Sequence, residues 1–185
     1  MSKRPDVFYW DACMFYEWLK EEPSSPHRKR ALNRILQENE VGHNQIITST
    51  ITHLEVLPDK LPLDKERFYF SNFDDEHIIE YNMDPNVVRL AREIRNFYYR
   101  PASPGQSFKM MDAGDAIHLA TAVIAGVDEF HTRDDDSKGS KVPLVSLYQW
   151  SGESRLMGQY DLKIVCPEDD QTNLLDVADG QNGKR

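Results

Sequence analysis

The sequence predicts an α/β protein in which helices sandwich a mostly parallel sheet. Three observations carry this expectation. Short apolar runs alternate with longer stretches of helical periodicity through most of the chain, the order that builds parallel strands joined by helical crossovers. The stretch 112–126, DAGDAIHLATAVIAG, is apolar around most of its circumference, through Ala116, Ile117, Leu119, Ala120, Val123 and Ile124, which marks a largely buried helix. It then passes through Gly126, a good helix stop, directly into a short strand-like run at 127–132.

The remaining elements follow in chain order. The run 7–10, VFYW, reads as the first strand and ends on Asp11; residues 12–22 then have helical spacing, with Met14, Phe15, Trp18 and Leu19 on one face. Residues 23–26, PSSP, read as a loop. The helical pattern at 27–40 turns Ala31, Leu32, Ile35 and Leu36 inward. Its early basic cluster (His27, Arg28, Lys29, Arg30, Arg34) is either a solvated face or a patch for a phosphate backbone. Residues 45–48 read as a strand, and Thr48, Ser49 and Thr50 offer capping hydroxyls to a helix through Ile51, Leu54, Val56 and Leu57 that Pro58 stops. A short helix is expected at 62–72 and a strand at 76–81. Asp84-Pro85 supplies an N-cap and a proline at the first helical position, opening a helix that runs to Tyr99. Arg89, Arg92, Arg95 and Arg100 line its polar sides. The loop 101–108 is rich in Pro, Ser and Gly. After the aspartates 134–136, a strand is expected at 142–147, an irregular insertion at 148–161 and a last strand at 162–166. This describes one domain over 1–167 and a polar tail at 168–185, either flexible or a partner-docking segment.

Composition narrows the function. The chain has 185 residues, enough for a sizeable core, and a net charge of −9, which argues against nucleic-acid binding by bulk positive charge. A protein of this charge that acts on a polyanion must neutralise its own acids locally, and a divalent cation would do so. No apolar run approaches the roughly 20 residues of a membrane span, and Asp6 and Asp11 interrupt any signal-like stretch at the start. Cys13 and Cys166 form neither a disulfide framework nor a metal-type spacing, so a reducing cytoplasm is the simplest compartment.

Acids recur where an α/β sheet has its functional edge: Asp11 after the first strand, Glu55 on the helix after the second, Asp115 on the buried helix and Asp134 after the following strand. Each has a bland reading. Asp11 can cap a helix, Glu55 can pair with an Arg or Lys, Asp115 can complete a capping box with Asp112, and Asp134, Asp135 and Asp136 can form a solvated turn. Together they are better explained as oxygen ligands for a hard cation, Mg²⁺ or Mn²⁺, which can polarise a phosphodiester and activate water for in-line attack. His118, one turn after Asp115, and His131 read as hydrogen-bonded core histidines before proton carriers.

At these residues the chain resembles the PIN-domain nucleases, the family of the VapC-type toxins. The matching segments are FYWDAC around Asp11, TSTITHLEVL around Glu55, DAGDAIHLATAVIAGVDEFHTRDDD around Asp115 and Asp134, and the closing KIVCPED, together about residues 7–168. The resemblance implies a three-layer α/β/α sandwich and a metal-dependent ribonuclease holding Mg²⁺ or Mn²⁺. It assigns Asp11, Glu55 and Asp115 as the three core acids and Asp134 as a more variable fourth, with Asp136 as its substitute. It implies RNA as substrate and, for a toxin, a small antitoxin protein as partner. Ala12 departs from the Thr or Ser common in the family after the first Asp, and the segment after Leu147 is longer than in a minimal toxin. A catalytically degenerate PIN-like module that binds RNA or protein is the alternative. An aspartate-nucleophile phosphatase would need a second acid two residues after Asp11, where Cys13 stands. Phe97, Tyr98 and Tyr99 read either as a homodimer contact or as core packing.

Overall fold

The strands are β1 (Asp6–Trp10), β2 (Asn44–Ser49), β3 (Ile78–Tyr81), β4 (Glu129–His131) and β5 (Lys163–Val165), and they form one sheet in the order β3-β2-β1-β4-β5. All four pairings are parallel. The computed structural model describes residues 4–19, 25–61, 63–74, 77–135 and 139–168. Residues 23–24 of the loop expected at 23–26, residues 20–22 of the expected first helix, the position of Asp136 and the tail beyond 168 lie outside the described residues, and Pro26 already belongs to a helix.

The strand pleat sends successive side chains to opposite faces, and both faces are covered. Tyr9, Ile47 and Phe130 point into one core with α5 (Pro85–Tyr98), α6 (Ala113–Ala125) and α7 (Leu147–Ser151). Trp10, Ile46 and Ile78 point into the other with α1 (Ala12–Leu19), α2 (Pro26–Glu40) and α4 (Leu63–Asp74). The result is the expected α/β/α sandwich in three layers. Tyr9 and Phe130 stack across the β1–β4 pair with centroids 5.0 Å apart, and Trp10 meets Phe15 of α1 edge-on at 5.7 Å. Among the described residues no helix is long and apolar enough to cross a membrane.

The helix punctuation follows local chemistry. Asp84 accepts from the amides of Asn86 (2.7 Å) and Val87 (3.0 Å) at the start of α5. Asp112 accepts from Gly114 N (2.8 Å) at the start of α6, and Gly126 ends that helix in the left-handed conformation, φ 66°. The loop 101–108 is closed by bridges pairing Arg100 with Lys109 and Ser103 with Gln106. Of the three aromatics at the end of α5, Tyr98 is fully buried and its hydroxyl accepts from Met157 N, whereas Tyr99 is exposed.

Two segments differ from expectation. Residues 142–147 are not a strand. Val142, Leu144 and Leu147 are buried, but Leu144 N and Val145 N donate to Asp134, and the slot beside β4 is filled by β5. The helix after β2 is a single turn, α3 (Thr52–Glu55), without a side-chain cap. The Thr48 hydroxyl is occupied elsewhere, donating to Trp10 O at 2.7 Å and bonding Thr52 Oγ1. Glu55 therefore ends a one-turn helix instead of sitting inside a longer one.

Candidate active site

The strand order reverses at β1. The chain builds outward through β2 and β3, then returns to the other side of β1 with β4. A crevice opens at the carboxyl ends of strands at such a reversal. Asp11 follows β1 directly, and Asp134 lies three residues beyond the end of β4. A cleft of about 330 Å³ at this point is lined by Asp11, Glu55, Asp115, His118, Asp134 and Lys141, among others. The four expected acids, distant in sequence, thus face one cavity. Asp135 also lines it.

Asp11 is buried, and its Oδ1 accepts from Cys13 N (3.1 Å), Met14 N (3.3 Å) and the Cys13 thiol (2.8 Å). The capping role of this carboxylate coexists with its place in the cleft lining. Burial raises its pKa, opposed by the nearby His118 and by hydrogen bonds from Cys13 and Thr132. Cys13 stands where the sequence offered only a mismatch to a phosphatase. Burial, then the Asp11 charge, pushes its thiol well up, so it remains a proton donor. Its sulfur also accepts from Arg133 N at 2.9 Å, joining the first helix to the loop after β4.

Glu55 is oriented from behind. His118, buried on α6, places Nε2 2.8 Å from Glu55 Oε2, and its Nδ1 lies 2.7 Å from the Tyr9 hydroxyl. A carboxylate only accepts, so Nε2 carries the proton; Nδ1 then accepts from Tyr9. The partner of Glu55 is this histidine, not an Arg or Lys. The other oxygen of Glu55 lies against Gly114, where an added Cβ would stand 2.2 Å from Oε1. The glycine leaves room for the carboxylate.

Asp115 Oδ2 is buried with no hydrogen-bond partner. Burial pushes its carboxyl up to about 7, with Asp134 and Asp112 adding to the rise and Lys141 and His118 opposing it. Asp134 is already engaged: Oδ1 accepts from Lys141 Nζ (2.8 Å) and Oδ2 from Leu144 N (3.2 Å). Lys141, which sequence spacing did not single out, thus lines the cleft as a cation together with Arg133. Arg133 at the rim pairs with the buried Glu17 of α1.

The donor set is all carboxylate oxygen at its centre, which suits a hard cation, and a buried carboxylate oxygen without a partner is a costly feature that such a cation would offset. Among the described residues no three His, Cys, Asp or Glu side chains converge into a ready-made metal cage. Mg²⁺ does not require one, since it binds through one or two carboxylates and keeps water. Comparison with protein-family models finds no match, and comparison with curated proteins finds no match either.

Proposed function

We propose that this chain is a Mg²⁺- or Mn²⁺-dependent ribonuclease. The observation that carries the reading is the convergence of Asp11, Glu55, Asp115 and Asp134 on one cleft at the strand-order reversal, with Asp115 Oδ2 buried and unpartnered. The choice of RNA rests on the resemblance of the acid-bearing segments to PIN-domain nucleases. Of Asp11, Glu55 and Asp115, one or two would hold the ion directly and the remainder would act through its retained water. When bound, it would polarise the phosphodiester and offset the charge developing on the leaving oxygen.

The chain's own groups set the rest. His118 donates to Glu55 and holds its carboxylate in place, with Tyr9 fixing the ring's tautomer. Cys13 and the amides at the start of α1 fix Asp11. Lys141 brings positive charge beside Asp134, which favours approach of a phosphate to an otherwise acidic cleft. Antitoxin partnership belongs to the same reading and depends on toxin activity.

The test is Mn²⁺-dependent cleavage of RNA by the wild type, Asp11→Asn and Asp115→Asn. Loss of cleavage in both variants with cooperative melting retained supports the reading; full activity in either variant overturns it. The degenerate-module reading draws on one feature, the engagement of both Asp134 oxygens by Lys141 and Leu144 N. It expects no cleavage by the wild type and no stabilisation by Mn²⁺.

A further inference from the structure

The acidic cleft does not end at the acids. Glu55, Asp115 and Lys141 are shared with a second cavity of about 600 Å³, which runs to Arg95, Met110 and Asp112. Arg95 and Met110 are shared in turn with a third cavity of about 390 Å³ between α5 and α6, walled by Val88, Ala91, Tyr99 and Ile117. Three cavities therefore lie in series, passing from acidic to apolar. Arg95 stands at the last seam. Its Nε donates to Met111 O (3.1 Å) and one Nη2 hydrogen to Met110 Sδ (3.4 Å), so two of a guanidinium's five donors anchor its plane there.

A guanidinium fixed in this way suits a phosphate, which it can bind through two N–H groups at once. The pocket behind it suits a flat, largely apolar ring. Tyr99 is 44% exposed and Met110 37%, and the pocket's volume lies within the range of small-molecule sites. A nucleotide joins these two chemistries at the spacing of one sugar. A base can enter such a pocket only when unpaired and splayed from its stack.

We propose that the Arg95 seam and the apolar pocket beyond it form the subsite for the nucleotide flanking the scissile phosphate. Arg95 binds the neighbouring phosphate, Tyr99 and Met110 receive the base, and the substrate is single-stranded RNA. This inference rests on the ribonuclease reading for the identity of its ligand, but not for its test.

The test is fluorescence anisotropy of the full chain in Ca²⁺ with a labelled single-stranded oligoadenylate, beside the same strand annealed to its complement. Tyr99→Ala and Arg95→Gln are each expected to weaken single-strand binding by about tenfold. Arg95→Lys should recover part of the loss, and the duplex should bind poorly. Tyr99 is exposed, so Tyr99→Ala should fold; melting curves check each variant. Unchanged affinity in both variants, absence of binding, or duplex bound as tightly as single strand overturns the proposal. Cleavage in Mn²⁺ is followed in parallel on an unlabelled strand. Cleavage with no effect of either variant sinks the subsite and leaves the nuclease reading standing. The expected binding losses without any cleavage by the wild type sink the nuclease reading and leave Arg95 and Tyr99 as a single-strand binding site only.

Discussion

Glu55 and His118 lie 63 positions apart in the chain and meet through a 2.8 Å hydrogen bond in the lining of the acidic cleft. The histidine is buried and also takes the Tyr9 hydroxyl, so the one-turn helix α3 is tied through α6 to the central strand β1. His118→Ala should leave the Tyr9 hydroxyl buried without this partner and Glu55 without its guide. The expected cost is about 1–3 kcal/mol, a fall in Tm of roughly 2–4 °C for each kcal/mol at this chain length. Thermal melting reads the stability, and Mn²⁺-dependent cleavage should drop with it. An unchanged Tm would show that the buried chain of bonds contributes little.

Gly114→Ala tests the same carboxylate from its other side. Alanine is the better helix former, yet its Cβ would stand 2.2 Å from Glu55 Oε1. The flexible Glu55 side chain should yield, so the variant should fold, with a lower Tm to the extent that the Glu55–His118 bond is given up, while losing much of the stabilisation by Mn²⁺. Equal Mn²⁺ shifts in variant and wild type would remove Glu55 from the ligand set.

Glu129 makes stability depend on acid. Its hydrogen bond with His131, assisted by Lys163, lowers its pKa to about 2 from an ordinary 4.5, although burial opposes this. Trp10 donates to His131 Nδ1 at 3.2 Å, so the histidine offers Nε2–H to the carboxylate. A depressed folded pKa means that the unfolded chain binds protons first as pH falls. The contribution is present above about pH 4.5 and is lost as pH falls through about 2. Glu129→Gln should flatten the melting profile across that window; an unaltered profile would contradict the assignment.

Asp84 makes a plainer prediction. It accepts from two amides at the start of α5, and Asp84→Ala should cost about 1 kcal/mol, read by urea denaturation. Because α5 also carries Arg95, a frayed first turn should leave RNA affinity nearly unchanged, since Arg95 sits in the last turn.

How much of this was legible in the sequence depended on the range of each interaction. Asp84, Asp112 and Gly126 were legible because a cap needs only its own neighbours. The positions of Asp11, Asp115 and Asp134 at strand and helix ends were legible because alternation of elements places those ends on one edge, whereas Glu55 was expected inside a longer helix and ends a single turn. The segment 142–147 misled because Val142, Leu144 and Leu147 report burial and not hydrogen-bonding partners, and its amides are spent on Asp134. Lys141, the His118–Glu55 bond and the Glu17–Arg133 pair were not legible. Glu17 and Arg133 are 116 positions apart, and nothing local to either names the other.

The measurement that bears most directly on the acidic centre is thermal melting with and without millimolar Mn²⁺, on wild type and Asp115→Asn side by side. An ion bound by the native acids should stabilise the wild type by about 2.7 kcal/mol at a hundredfold excess over Kd. The same ion should leave Asp115→Asn nearly where it was. The variant should be the more stable of the two without metal, because an amide in place of Asp115 removes a buried carboxylate whose Oδ2 has no partner. Equal shifts in the two proteins, or none in the wild type, would contradict a cation site built on these carboxylates.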